Sequence, residues 1–153
     1  MIRAVLFDFG GTLFAYESLM PSEMRGMIEL VRRAGVDTGV DQIARAQRES
    51  GRRVLRDYMQ QPFYLHRDMF LDSLRATLEA LGGSIDDDLL AGHRERQWNG
   101  HREHFELRPG VVDTLKALRG RDLHVGMVSN IDDDQLTHLL EVSGLEPHFD
   151  AIL

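Results

Sequence analysis

The chain has 153 residues, of which 42% are hydrophobic and 28% charged, a composition typical of a folded protein of one or two small domains. Its net charge of −7 argues against nucleic acid as a partner, and no apolar run has the length of a membrane span. The absence of cysteine excludes disulfides, thiolate metal sites and cysteine nucleophiles. Because the N-terminus lacks a signal-peptide pattern, we expect a cytoplasmic protein.

The sequence predicts three short apolar strands. Residues 2–7 and 123–128 are rich in strand-forming side chains, as in parallel strands that are covered on both faces, and 149–153 begins a third strand of this kind.

In the rest of the chain, apolar side chains recur at helical spacing. It predicts four helices between the first two strands, a fifth over 111–118 and a sixth from Asp132 to Gly144. In the second of these helices, over 40–59, we expect an inward face at these positions: Val40, Ile43, Val54, Leu55 and Tyr58. The alternation of strands and helices predicts an α/β fold with a parallel sheet, and the four helices form an insertion after the first strand.

Polar residues follow the first two strands at the edge where open α/β sheets bind ligands. Asp8 follows the first strand and Ser129 the second. Gly10 and Gly11 free the backbone amides of the turn to approach an anion, and Thr12 adds a hydroxyl donor. A carboxylate beside such a turn repels phosphate unless a divalent cation offsets its charge or the carboxylate acts as a nucleophile. The structural alternative is that Asp8 and Ser129 only cap the turn and the following helix.

The two strand ends resemble motifs of a known family. "AVLFDFGGTL" and "LHVGMVSN" resemble the first and second motifs of the haloacid-dehalogenase superfamily, whose members are mostly phosphatases. The segments "LRPGVVDTLKALRG" and "DDDQLTHLLEVSGLEPHFDAIL" are also similar to this family. The resemblance implies a Rossmann-like parallel-sheet core domain over 1–14 and 108–153, with a helical cap domain over 15–107.

The resemblance also implies roles for individual residues. Asp8 would be the nucleophile that takes up the phosphoryl group as an aspartyl-phosphate, and its carboxylate would bind Mg²⁺ together with the backbone carbonyl of Gly10. The implied substrate is a small phosphorylated metabolite. Four further residues would bind the phosphoryl group or orient the substrate: Gly11, Thr12, Ser129 and Asn130.

The sequence departs from the family pattern in two ways. Gly10 stands where the phosphatases carry a second aspartate that protonates the leaving oxygen, and loss of such a group typically lowers the rate by about 10²- to 10⁴-fold. The dehalogenase branch usually has an aromatic residue at this position. In addition, the lysine of the third motif and the acidic residues of the fourth are missing, and Lys116, the only lysine, precedes the second strand. We therefore expect a core that is truncated after the third strand.

Three functions remain open at this point. The first is Mg²⁺-dependent phosphatase chemistry through Asp8, and the second is metal-independent hydrolysis of 2-haloacids through the same residue. The third is a catalytically incomplete fragment or remnant that at most binds a ligand or a partner. We also expect an exposed apolar edge on the first strand, which favours self-association.

A histidine cluster in the fourth helix has two interpretations. His93, His101 and His104 lie near Glu103 and Glu106, a set that could bind a metal. Because no defined ligand spacing is present, we expect an exposed polar helix instead.

Overall fold

The computed structural model describes residues 2–153, and its elements follow the predicted order. The strands are β1 (Ala4–Phe7), β2 (His124–Met127) and β3 (Ala151–Ile152). The helices are α1 (Tyr16–Arg33), α2 (Val40–Tyr58), α3 (His66–Ala80), α4 (Asp87–His104), α5 (Val111–Arg119) and α6 (Asp133–Ser143), with a short 3₁₀ helix at Glu146–His148. None of the helices between residues 2 and 153 combines the length and the apolar character that a membrane crossing requires.

The three strands form one parallel sheet in the order β1-β2-β3, which confirms the predicted fold class. Phe7 is in register with Met127, and Gly126 with Ala151. Within the described chain β1 therefore pairs on one side only, and its Leu6 side chain is 64% exposed. The Leu6 side chain lies over Gly126: a Cβ built at position 126 would be 2.7 Å from the Leu6 Cδ2 atom.

The β2–β3 ladder is extended by a carboxylate. The amide N–H of Val125 donates to Oδ2 of Asp150 at 2.8 Å, and the amide N–H of Asp150 donates to the carbonyl of Val125 at 2.7 Å. Arg119 and His124 approach the same carboxylate at 3.5 and 3.7 Å. The hydrogen bond from Val125, and then these two basic groups, lower the pKa of Asp150 below its usual value.

The chain divides into two compact units. The first comprises the described residues up to Ser22 together with Trp98–Leu153, and the second comprises Glu23–Gln97. The buried core of the first unit combines side chains from the sheet, the turn after β1 and the helices around them: Phe9, Leu13, Phe14, Leu19, Val111, Leu115, Val125, Met127, Leu136, Leu139, Leu140 and Leu145. The predicted domain limits of 15 and 107 for the cap stay a prediction.

The second unit has its own core, and it corrects one sequence expectation. Its main cluster is formed by Met27, Leu30, Val31, Ile43 and Leu78. Val40 and Leu55 were expected to face inward but are 50% and 40% exposed. Val40 is the first residue of α2, and Leu55 lies about 100° around the helix from the buried Val54.

The expectation of an exposed polar α4 is wrong at two histidines. His93 is buried in the second unit and His101 in the first. The His101 ring lies 5.7 Å from that of His138, which in turn stacks on Trp98 at 5.0 Å. The rings of His101 and His138 therefore pack within the first unit. Residues 2–153 contain no group of three His, Cys, Asp or Glu side chains that could hold a metal ion.

The Asp150 contacts predict a pH-dependent contribution to stability. Because the folded-state pKa is lowered, this contribution is fully present above the unfolded pKa of about 3.8–3.9, and it is lost as the pH falls toward the folded value. We expect Asp150→Asn to lower the melting temperature at pH 7, and the difference from wild type to shrink below pH 4. Thermal melting between pH 3 and 7 measures this, with the exposed Asp57→Asn as the matched control. A difference that stays constant down to pH 3 would contradict the assignment.

Candidate active site

The structure brings Asp8 and Ser129 to the same edge of the sheet. The N–H of Val128 donates to the carbonyl of Phe7 at 2.8 Å, so the residues that follow the two paired strands emerge side by side. Ser129 is itself held by a hydrogen bond from its amide to the carbonyl of Leu153 at 2.9 Å. The carboxylate and the hydroxyl thus lie at the carboxyl ends of β1 and β2, as the strand pattern predicts.

A tight turn follows Asp8 and returns a hydroxyl to it. Gly11 adopts a φ of +76°, a conformation that favours glycine, and the amide of Leu13 closes the turn on the carbonyl of Phe9 at 2.9 Å. The Thr12 hydroxyl donates to Oδ2 of Asp8 at 3.1 Å. The turn therefore keeps the exposed Asp8 carboxylate beside a hydroxyl and the backbone of Gly11.

The turn after Asp8 packs on a cluster of aromatic side chains. Phe9, which follows Asp8 directly, is 0% exposed, and its ring centroid lies 5.1 Å from that of the buried Phe14. Phe105 packs against Phe14 at 4.9 Å and stacks on Phe9 at 6.5 Å. Since adjacent residues on an extended segment point to opposite sides, burial of Phe9 directs Asp8 outward.

Residues 107 and 108 also contact this turn. Nε of Arg108 donates to the carbonyl of Gly11 at 2.8 Å, and the Arg108 amide donates to the carbonyl of Leu13 at 2.9 Å. Leu107 and Phe14 also form an isolated antiparallel bridge. Sequence reasoning missed this role of Arg108, because the contact joins residues 97 positions apart and no local pattern signals it.

Tyr16 is the second residue that sequence reasoning missed. Its ring packs edge-on against Phe14 at 4.8 Å, while the side chain remains 52% exposed. Burial, and after it the negative charge of Asp8, raise the pKa of the Tyr16 hydroxyl above its ordinary value. A Cβ atom built on Gly10 would overlap the Tyr16 hydroxyl oxygen and lie 2.9 Å from its Cζ atom. The phenol therefore occupies the space that a side chain at position 10 would need.

The residues after β2 are arranged as a turn into α6. The Ser129 hydroxyl oxygen accepts a long hydrogen bond of 3.4 Å from the amide of Ile131, which leaves its O–H proton available as a donor. Asn130 is exposed beside it. The roles predicted for Ser129 and Asn130 toward a substrate stay predictions.

The donor atoms near Asp8 fit part of a magnesium site. Mg²⁺ prefers oxygen ligands and, at phosphoryl-transfer centres, is commonly held by one or two carboxylates plus substrate phosphate and water. The Asp8 carboxylate and the Gly10 carbonyl are ligands of this type, and residues 2–153 hold no group of three or more His, Cys, Asp or Glu side chains that could bind a metal ion.

The fold and this edge define an α/β protein with a Rossmann-like parallel sheet and an exposed aspartate at the end of its first strand. The family model of haloacid dehalogenase-like hydrolases matches residues 2–153, and the chain belongs to this family.

Similar proteins within this family carry out more than one reaction. The chain is 31% identical over 81 residues to pyrophosphatase PpaX of Bacillus pumilus (strain SAFR-032), an alignment covering 53% of the chain and 38% of that enzyme. It is 25% identical over 155 residues to ribulose-1,5-bisphosphate 5-phosphatase of Halopiger xanaduensis, covering 100% of the chain and 63% of that enzyme. The solved structure of L-2-haloacid dehalogenase from Xanthobacter autotrophicus matches with a TM-score of 0.64 and 25% identity, over 100% of the chain and 56% of the dehalogenase. The chain thus spans less than two thirds of the length of each.

The aromatic anchor predicts a large stability cost for removing Phe9. Truncation of a fully buried phenylalanine typically costs about 3–5 kcal/mol, a large fraction of the stability of a small domain. We expect Phe9→Ala to lower the free energy of unfolding by about this amount, measured by urea denaturation. The control is Phe63→Ala, because Phe63 is exposed. Equal losses in the two variants would show that Phe9 does not anchor the turn.

Proposed function

We propose that this chain carries the nucleophile of a Mg²⁺-dependent phosphatase that acts on a small phosphorylated metabolite. The observation that carries the proposal is the joint position of Asp8 and Ser129 at the carboxyl edge of the sheet, next to the turn at Gly11. The similarity to a pyrophosphatase and to a bisphosphate phosphatase supports the choice of phosphate esters and anhydrides as the substrate class.

In the proposed reaction the Asp8 carboxylate oxygen attacks phosphorus and the ester oxygen departs with the electron pair of its bond. Water then attacks the aspartyl-phosphate, which releases phosphate and restores the carboxylate. The Ser129 hydroxyl and the amides near Gly11 and Thr12 hydrogen-bond the phosphoryl oxygens, and Asn130 orients the substrate. Asp8 and the Gly10 carbonyl would hold Mg²⁺, which offsets the negative charge of phosphate beside a carboxylate.

A second function, metal-independent hydrolysis of 2-haloacids, is favoured by two observations. One is the 25% identity to L-2-haloacid dehalogenase over the whole chain. The other is the Tyr16 phenol ring that covers Gly10, the position at which the dehalogenase branch usually has an aromatic residue. In this reaction Asp8 would attack the halogen-bearing carbon and displace halide, and water would hydrolyse the resulting ester.

Substitution of the nucleophile tests both reactions. In the full-length protein, Asp8→Asn should lower phosphate release from a panel of small phosphate esters by about 10⁴-fold or more, because the covalent intermediate can no longer form. Release should also disappear on chelation of Mg²⁺ with EDTA. The control is Asp57→Asn, an exposed aspartate of α2, which should retain full activity.

Each result has one interpretation. Chloride release from 2-chloropropionate in EDTA, lost in Asp8→Asn, assigns the dehalogenase reaction instead. Phosphate release that survives Asp8→Asn removes Asp8 from the mechanism. If neither product forms and beryllium fluoride does not bind in Mg²⁺, the chain is a binding module or a remnant.

We further propose that the free edge of β1 pairs with a second copy of this chain. Within the described residues β1 is bonded only to β2, and two apolar side chains are exposed here: Leu6 on the strand and Ile2 just before it. Such an edge offers unpaired backbone groups to another strand, and a charged side chain on it opposes pairing.

A lysine on this strand tests the pairing. We expect Leu6→Lys to increase the monomer fraction measured by size-exclusion chromatography with light scattering, because the charge opposes strand addition. Leu55→Lys, which places the same charge on an exposed position of α2, should leave the distribution unchanged. An unchanged monomer fraction in Leu6→Lys would contradict self-association through β1.

A further inference from the structure

The space beside Gly10 is filled by a functional group from another residue. A Cβ on Gly10 would overlap the Tyr16 hydroxyl oxygen and stand 3.4 Å from the Tyr16 Cε2 atom. Real Cβ atoms do not approach another atom so closely, so position 10 accepts no side chain while Tyr16 keeps this position. Gly10 and Tyr16 therefore share one space, which a side chain at position 10 could enter only if the Tyr16 ring moved.

The Tyr16 ring packs at the start of α1. Tyr16 is the first residue of α1, and its ring meets the buried Phe14 ring at an interplanar angle of 67°. Phe14 is in turn fixed against Phe9, the residue between Asp8 and Gly10. The same aromatic cluster thus positions both the turn that carries Asp8 and the phenol that covers Gly10.

The chemistry of a phenol suits this location. Its O–H is a hydrogen-bond donor at neutral pH, whereas glycine offers no side-chain donor. The negative charge of Asp8 acts on the Tyr16 hydroxyl, so the two groups share one local environment. The Tyr16 side chain is also half exposed, so part of it is open to solvent.

We propose that Tyr16 donates a hydrogen bond to the leaving-group oxygen of the substrate, in place of the acidic side chain that related phosphatases carry at position 10. This inference rests on the phosphatase function proposed above. As the bond from Asp8 to phosphorus forms, the bond from phosphorus to the ester oxygen breaks and its electron pair moves to that oxygen. The Tyr16 hydrogen bond stabilises the developing charge, and solvent supplies the proton. The water that later attacks the aspartyl-phosphate returns a proton to solvent, so the protons balance.

The leaving group provides the test. Tyr16→Phe removes only the hydroxyl and keeps the ring against Phe14. In the full-length protein we expect kcat for alkyl phosphates to fall about ten- to hundredfold, the usual effect of losing a hydrogen bond to a charged group. For p-nitrophenyl phosphate, whose leaving oxygen needs little stabilisation, the loss should be less than about threefold, and KM should not change for either substrate. The control is Tyr64→Phe, because Tyr64 belongs to the second unit.

A binding measurement gives a readout independent of turnover. Vanadate in Mg²⁺ presents an apical oxygen at the leaving-group position, whereas beryllium fluoride imitates the phosphoryl group on Asp8 alone. Tyr16→Phe should weaken vanadate binding about tenfold or more and leave beryllium fluoride binding unchanged.

A pair of substitutions at positions 10 and 16 provides a second test in case Tyr16→Phe does not fold. Gly10→Asp alone should lower activity, because its side chain overlaps the phenol. Gly10→Asp combined with Tyr16→Ala should recover alkyl-phosphate turnover, because an acid then occupies the vacated space. Equal activity of the single and double variants would show that the two side chains do not compete.

The remaining outcomes separate the two proposals. If wild type releases phosphate in an Asp8-dependent way but Tyr16→Phe affects alkyl and aryl substrates equally, the role of Tyr16 is wrong while the phosphatase function stands. If wild type shows no Asp8-dependent release, the proposed function fails and the inference about Tyr16 fails with it.

Discussion

Aromatic packing beneath the turn after β1 is the interaction on which the strand-end site depends. Burial of the Phe9 ring fixes the backbone on both sides of it, so that the Asp8 carboxylate points outward and the Gly10 backbone follows at the rim. Phe14 and Phe105 complete this cluster and hold the start of α1 against the turn. The turn that carries this polar site is thus held by apolar contacts as well as by its hydrogen bonds.

The parallel register supplies the second constraint. Because β1 and β2 run in the same direction with Phe7 opposite Met127, the residues that follow each strand must meet at one edge. This places a carboxylate from the start of the chain and a hydroxyl from position 129 at the same sheet edge, within the first compact unit. The helical insertion between the two strands does not disturb this register.

Much of this arrangement could be predicted from the sequence, and the failures have physical causes. Apolar runs predicted the strands, helical periodicity predicted the helices, and the strand-end rule predicted that Asp8 and Ser129 meet. The burial of His101 was not predictable, because it depends on His138, which lies in another helix. Tyr16 and Arg108 were also missed. Each acts through a contact with the turn that local pattern and propensity do not encode.

The Arg108 contact has a consequence for how the molecule folds. Its partner Gly11 lies 97 residues away, so the site is complete only after the chain has closed a loop of that length. Loop closure of this kind is entropically costly and slow compared with the local contacts that form a helix. The contacts of α2 with α3 are much closer in sequence, so the second unit is able to compact early and shorten the distance that the ends must span. We therefore expect the helices of the second unit to compact early, and the turn that carries Asp8 to acquire its contact with Arg108 late in folding.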